Sequence, residues 1–462
     1  MNSLLSVSTL SHISDTHSDS RSHRRVLIVS PHFPPINAPD HQRIRVALPH
    51  LQEFGWDAEI LAVEPNQVPH PQDPLLARAL PAGLSITRTP ALPTRLTSLI
   101  GLGNVGWRSL PFLQQAGDRL LTTQTFDLIF FSTTIFPVML LGPYWQHKFG
   151  IPYVLDFQDP WRSDYHQGKQ ATQLPGGRLK YGLTQLLARW SEPQAMRTVS
   201  HVISVSPAYP HVLQQRYPWL TDQQFTILPF GAPDDDFVQL PQLGVQQSIF
   251  DPNDGKRHWV YVGRGGQDMA IALRALFLAI QQDRDQHPDV WRSIQLHFVG
   301  TSYAPPHLAV KTIEPIAQAC GVADLVSEHP YRISYFEAQQ VLVESDGILL
   351  IGSDDPSYTA SKLYPCILAQ KPILAIFHQA SSAVDILRQC RVGDVLTFAT
   401  GDRPITLAPQ LRPLLQKWLH CSQPPVLPTD WAAFQPYTAR AMTQCLCAVF
   451  DQSAIASSKI HS

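Results

Sequence analysis

The sequence predicts an α/β protein in which two doubly wound, parallel-sheet domains face each other across a cleft. Three observations carry that prediction. Short runs rich in Val, Ile, Leu and Phe alternate with helical patterns, as parallel strands joined by right-handed crossovers require. Some of these runs, "RVLIVSP" at 25–31 first among them, are apolar without alternation, as strands buried on both faces must be. The pattern stops in a Gln/Pro-rich stretch over 238–256 and then restarts.

In order, the first half reads as strands over 25–31, 57–63, 126–132, 151–157, 201–206 and 225–231. A helix over 41–56 sets Ile44, Leu48 and Leu51 on one face and ends near Gly55. Another over 137–150 opens on Pro and closes on Gly. The second half gives strands over 258–263, 294–300, 324–330, 346–352, 372–377 and 394–399, with helices over 268–282 and 334–344 among those between them. The division is then a disordered tail (1–23), an N-terminal domain (24–237), a linker (238–256) and a C-terminal domain (257–425). A last helix (426–452) is expected to cross back to the first domain, followed by a second disordered tail (453–462).

A chain of 462 residues has room for two or three domains. Its net charge, 35 − 37 = −2, lacks the basic footprint of a nucleic-acid binder. The six cysteines all fall in the C-terminal half with no Cys-x-x-Cys pair, which fits buried, reduced thiols in the cytoplasm; Cys445-x-Cys447 reads as core rather than metal site. Residues 1–23 are polar and lack the basic and apolar regions of a signal peptide. The apolar stretch 126–145 is broken by Ser132, Thr133, Thr134 and Pro137, so it reads as a strand and a buried helix rather than a membrane span. The segment 96–113 sets Leu96, Leu99, Ile100, Leu102, Trp107 and Leu110 beside Arg95 and Arg108, which suits peripheral contact with the inner membrane face or, equally, a packed helix.

Ligands of open parallel sheets bind beyond the carboxyl ends of the strands, and four loops there carry unusual residues. The loop 30–43 holds four prolines and a small tip, Asn37-Ala38, read as a cleft loop or as a rigid surface turn. After the strand 151–157, the loop "QDPWRSDY" groups Asp156, Asp159, Arg162 and Asp164 with Trp161, a set suited to a sugar or to an Asp-Pro turn with a surface salt bridge. In "VGRGGQD" (262–268), Gly263, Gly265 and Gly266 let backbone approach a ligand, and Arg264 offers a donor fork for phosphate. Position 268 is Asp, so the wider glycine spacing of a dinucleotide fingerprint is missing. In the last loop, Ser361 is read as a helix N-cap, Lys362 as the first helical residue and Pro365 as the fourth. A lysine there is disfavoured by the helix dipole by about 0.3–1 kcal/mol, a placement that suits a bound anion, with a solvated lysine as the alternative.

The segments "GIPYVLDFQDPW" (150–161), "VYVGRGG" (260–266) and "SKLYPCILAQKPILA" (361–375) resemble glycosyltransferase family four, in a divergent bacterial branch. The likeness extends at pattern level over most of 24–450. It implies the GT-B fold and retaining transfer of a sugar from a UDP- or GDP-sugar to a glycan or lipid-linked acceptor in polysaccharide assembly, with no metal or other cofactor required. It further implies that Arg264 and Lys362 cradle the donor diphosphate within the loop Gly263, Arg264, Gly265, Gly266 and Ser361. Gln158 and Asp159 would then lie near the reacting sugar, the loop bearing Asn37 and Ala38 would border donor and acceptor, and the departing phosphate would take the acceptor's proton. The sequence departs from the family at Pro365, where a ribose-binding glutamate is usual, at Asp268-Met269-Ala270, where a lysine is usual some five residues past the arginine, at Asn37-Ala38 in place of Gly-Gly, and at Phe230 in place of Asn. Two other readings stay open: a non-catalytic protein binding a sugar nucleotide or glycan, and a nucleotide-sugar epimerase, for which the sequence offers no persuasive set of acids and bases.

Overall fold

The computed structural model describes residues 23–98, 102–162, 177–302, 304, 308–356, 361–420 and 429–458. The first sheet comprises β1 (Arg24–Val29), β2 (Trp56–Val63), β3 (Ser85–Thr89), β4 (Leu128–Ser132), β5 (Tyr153–Phe157), β6 (His201–Ser204) and β7 (Phe225–Ile227). The second comprises β8 (Arg257–Val262), β9 (Ile294–Val299), β10 (Val326–His329), β11 (Gly347–Ile351), β12 (Ile373–His378) and β13 (Asp394–Phe398). Their orders are β3-β2-β1-β4-β5-β6-β7 and β10-β9-β8-β11-β12-β13, and every pairing is parallel. Val26 to Val29 and Leu128 to Phe131 are fully enclosed because helices cover both faces of the sheet.

Several elements differ from the sequence reading. The helix expected over 41–56 is Gln42–Ala47, continued by two short 3₁₀ turns to Phe54. Pro49 lacks an N–H and crowds the carbonyl of Arg45, which breaks the α ladder. Gly55 then closes the segment at φ 80°. β3 escaped notice because Ser85, Thr87, Arg88 and Thr89 give it almost no apolar signal at the sheet edge. The range 238–256 opens inside a helix, Asp234–Leu243, whose first turn carries Asp234, Asp235 and Asp236 where the helix dipole favours negative charge. From Val105 the segment 96–113 is a packed helix, Val105–Thr123, with Leu113 buried and Arg108 donating to the carbonyls of Leu92 (2.7 Å) and Gln67 (3.3 Å). Leu96 is exposed, and residues 99–101 lie outside the described ones. The last helix, Ala439–Ser458, extends past 453, where a tail was expected. It packs on the first sheet, with Phe450 edge-on to Trp56 and Phe130 at 5.3 and 5.0 Å. Among the described residues no helix is long and apolar enough to cross a membrane.

The two halves are tied at one corner. Arg45 grips Asp236 with two bonds of 2.8 and 2.6 Å, and Tyr335 donates its hydroxyl to the same carboxylate at 2.7 Å. The Tyr335 amide donates to Asp73 (2.8 Å), and the Asn37 side chain reaches the carbonyl of Ile333 (3.4 Å). Tyr335→Phe, which leaves a buried carboxylate oxygen one donor short, should cost about 1–2 kcal/mol; a urea midpoint unchanged from the parent would show that water replaces the hydroxyl.

Candidate functional site

In each sheet the strand order reverses between two central neighbours: β1 and β4 in the first, β8 and β11 in the second. Crossovers leave such a switch point on opposite faces, so a crevice opens there beyond the strand ends. The residues of interest gather at these two places.

At the second switch point the loops after β8 and β11 meet. Lys362 turns back under the loop, donating Nζ to the carbonyl of Ile351 (3.1 Å) and to the hydroxyl of Tyr261, with Nζ 4.1 Å from that ring's centroid. The Tyr261 hydroxyl donates in turn to the carbonyl of Arg264 (2.7 Å). Gly263 is required beside them. Its φ of 154° suits glycine, and a Cβ there would stand 3.0 Å from Lys362 Cδ. Gly265 is equally confined, since a Cβ would come within 2.5 Å of Thr312 Oγ1. Arg264 sets both terminal nitrogens on Asp268, at 3.0 and 2.7 Å, and the two side chains each keep about a quarter of their surface exposed. The Asp268 carbonyl accepts from the amide of Asp354 (2.8 Å), which joins the two loops.

The electrostatics follow from this crowding. Part of Lys362 remains accessible, but its ammonium is enclosed, and desolvation, with help from the charge of Arg264, lowers its pKa to about 7. Burial pushes the Asp268 carboxyl up, while hydrogen bonds from Arg264 and Ser353 outweigh it and hold the group below its ordinary value. Ser361 is not the cap expected of it. The helix is Leu363–Leu368 with Lys362 at the N-cap position and Pro365 third, not fourth. The Tyr364 amide bonds the Ser361 carbonyl (3.4 Å), so the Ser361 hydroxyl is left without the amide it was to cap.

At the first switch point Asp40 is buried and fully engaged. One oxygen faces His32 Nδ1 at 3.2 Å; the other accepts from Thr133 Oγ1 (3.0 Å), the Thr134 amide (3.3 Å) and Thr134 Oγ1 (3.4 Å). Burial raises its carboxyl, but His32 and Thr133 overcome that and bring it to about 2. His70 meets His32 edge-on at 4.9 Å. Gln158 is turned inward, its Nε2 donating to Asp156 (2.7 Å), the Asp40 carbonyl (2.9 Å) and Ser132 Oγ (3.3 Å), so its amide fastens loops together. Asn37 and Ala38 are buried, Asn37 being spent on the Ile333 contact. Trp161 stacks on Phe136 at 5.2 Å. Asp159 is exposed on its outer side, yet desolvation on the other and the charge of Asp40 raise its carboxyl. Tyr209 is pushed up to about 12 by burial and by the charges of Asp159 and Asp355. Asp159 follows β5 and Asp355 follows β11, so charges from loops of both sheets act on Tyr209.

The structure therefore brings Arg264, Lys362 and the glycines together, leaves Gln158 and Ala38 inside the first domain, and spends Asn37 on the contact with Ile333 of the second. The sequence reading missed His32, Asp40, His70 and Tyr261. The available signal was His32 standing three residues past a fully buried strand. Among the described residues, no group of three or more His, Cys, Asp or Glu side chains is arranged to hold a metal ion. A surface hollow lined by Arg284, Trp291 and Asp324 lies at the opposite, amino-terminal end of the second sheet and is unrelated to the cleft.

Two Rossmann-like domains whose switch points face one another define the GT-B architecture. No family model matches the chain, and no curated protein matches it by sequence. Solved structures do match in fold. Anabaena HepE, solved with UDP and glucose, is 16% identical with a TM-score of 0.56, covering 93% of this chain and all of its own. The UDP-forming α,α-trehalose-phosphate synthase of Burkholderia xenovorans is 12% identical with a TM-score of 0.54, covering 94% of this chain and 99% of its own. A Listeria monocytogenes protein assigned as a UDP-N-acetylglucosamine 2-epimerase is 10% identical with a TM-score of 0.51, covering 95% of this chain and 98% of its own.

Proposed function

We propose that the chain is a glycosyltransferase that moves a hexosyl group from a UDP- or GDP-sugar to a glycan or lipid-linked acceptor, with retention of configuration. The observation that carries this reading is the meeting of Arg264 and Lys362 at the second switch point, where both bond Tyr261. Two cations there can stabilise a leaving nucleoside diphosphate as negative charge develops on it. Arg264 keeps enough exposure to share its fork between Asp268 and a phosphate. Fold likeness to a protein solved with UDP and with UDP-glucose supports the choice of ligand. Pro365 offers no carboxylate to a ribose, so the diphosphate carries more of the recognition.

The test is incubation with UDP- and GDP-sugars, following release of nucleoside diphosphate. Arg264→Ala should lower that release at least 100-fold, with its far-UV circular dichroism unchanged. Failure to bind any nucleotide would end the reading. Binding without release across acceptors would favour the non-catalytic alternative. A sugar altered while still attached to its nucleotide, seen by NMR, would favour an epimerase, a reading to which the His32–Asp40 pair now gives acid–base residues.

A further inference from the structure

We propose that Asp268 is a built-in counter-anion of the diphosphate cradle, holding the Arg264 fork and disfavouring the free nucleoside diphosphate relative to its sugar ester, so that the product leaves readily; the proposal rests on the transferase reading above.

Arg264 sets both terminal nitrogens on the Asp268 carboxylate, at 3.0 and 2.7 Å, in the fork-to-fork manner by which arginine also takes phosphate. The carboxylate thus engages the very donors assigned to the ligand. Gly266 allows the two side chains to close on each other, since a Cβ there would strike Asp268 Oδ1 and stand 3.0 Å from Arg264 Nη1. Capping does not account for the residue. The 3₁₀ turn Gln267–Met269 has Gly266 at its N-cap position, and the helix Ala270–Arg284 has Met269. Ser353, past β11, donates to the same carboxylate, and the amide of Asp354 bonds the Asp268 carbonyl (2.8 Å). Asp268 is therefore fixed from both loops of the second switch point.

Charge gives the second step. Bonds from Arg264 and Ser353 outweigh burial and keep Asp268 ionised. Its charge also reaches Lys362, whose ammonium it favours while Arg264 opposes it. One of the two positive charges offered to a diphosphate is thereby balanced from within the protein. A nucleotide sugar carries about two negative charges on its diphosphate. The free nucleoside diphosphate carries about one more at pH 8, because its terminal phosphate loses a further proton with a pKa of about 6. A fixed carboxylate beside the fork opposes that added charge in particular. A loss of affinity of this kind shows mainly as faster dissociation, which is what release of the product after transfer requires.

The experiment is calorimetric titration of the full chain and of Asp268→Asn with UDP, UDP-glucose, GDP and GDP-mannose, at pH 8 and at pH 5. At pH 8 the variant should bind the free diphosphates about 10-fold more tightly than the parent does, and the sugar esters only about 3-fold more tightly. At pH 5 the free diphosphates carry nearly the charge of the esters, and the two factors should agree within about twofold, a pH dependence that a merely structural role would not produce. Asp268→Glu keeps the charge and should keep the parent's ratio of affinities, and Asp268→Ser serves as the neutral variant where the amide disturbs the loop. Neutral variants that bind both kinds of ligand more weakly, or tighten both by one factor at pH 8, overturn the assignment and leave the transferase reading standing. A parent chain that binds none of the four nucleotides overturns both.

Discussion

Arg43→Ala should destabilise the chain by about 3–5 kcal/mol, the range seen when one partner of a buried ion pair is removed. Arg43 and Asp156 are both fully enclosed. The guanidinium donates to Asp156 Oδ2 (2.9 Å) and to the carbonyls of Leu228 (2.7 Å) and Pro229 (3.2 Å), and lies 4.9 Å from the Phe230 ring centroid. Without it, a buried carbonyl, a half-buried one and a buried carboxylate lose their cation at once. Asp156 would keep only Ser132 and Gln158, and its other oxygen already has no hydrogen-bond partner among the described residues. Arg43→Met combined with Asp156→Asn should recover much of the loss, because both charges then go. Urea denaturation of the three proteins measures this, and a single-variant loss below about 1 kcal/mol would mean that water reaches the carboxylate. The same network holds the Asp40 carbonyl through Gln158, so a loosened Asp156 should also disturb the contact between Asp40 and His32.

Lys362→Met should weaken UDP or GDP binding about 100-fold and abolish the proton uptake that accompanies it, a direct consequence of burying an ammonium beside a bidentate cation. With its pKa lowered to about 7, the folded chain has lost most of that proton at pH 8, whereas the unfolded chain keeps it to beyond pH 10. The unfolded state thus binds more protons between pH 7 and 10, so stability should rise with pH across that window. Below pH 7 the cost of enclosing the charge is fully present. A bound diphosphate reverses the preference by supplying opposite charge. At pH 8, binding should therefore take up close to one proton in the parent and none in the variant. Calorimetry in buffers of different ionisation heat reads this directly. Binding without proton exchange in the parent would place Lys362 away from the diphosphate.

Substitutions at the two cation positions separate their parts. Arg264 is a partly exposed fork already paired with Asp268, so its removal acts mainly on the charge offered to the ligand. Lys362 is also a brace between Tyr261 and Ile351, so its removal acts on the loop as well.

Much of this was legible in the sequence. Unbroken apolar runs such as 26–29 and 128–131 specify strands buried on both faces, and their alternation with helical patterns specifies parallel sheets, because both are local consequences of side-chain period. The glycines around Arg264 and the polar loops past the strand ends were legible for the same reason: they are local exceptions to burial. What the sequence could not contain is who meets whom across the sheets. His32 and Asp40 are eight residues apart, but their significance comes from Thr133, some ninety residues on, which completes the carboxylate's shell. Gln158 reads as a polar loop residue near a sugar, yet in three dimensions the Asp156–Arg43 pair claims its amide. Local periodicity determined the strands, the two-sheet plan and the candidate loops. Tertiary packing alone decided which polar side chains were consumed inside and which reach the cleft, because a buried donor or acceptor must find its partner wherever the fold brings one within about 3 Å.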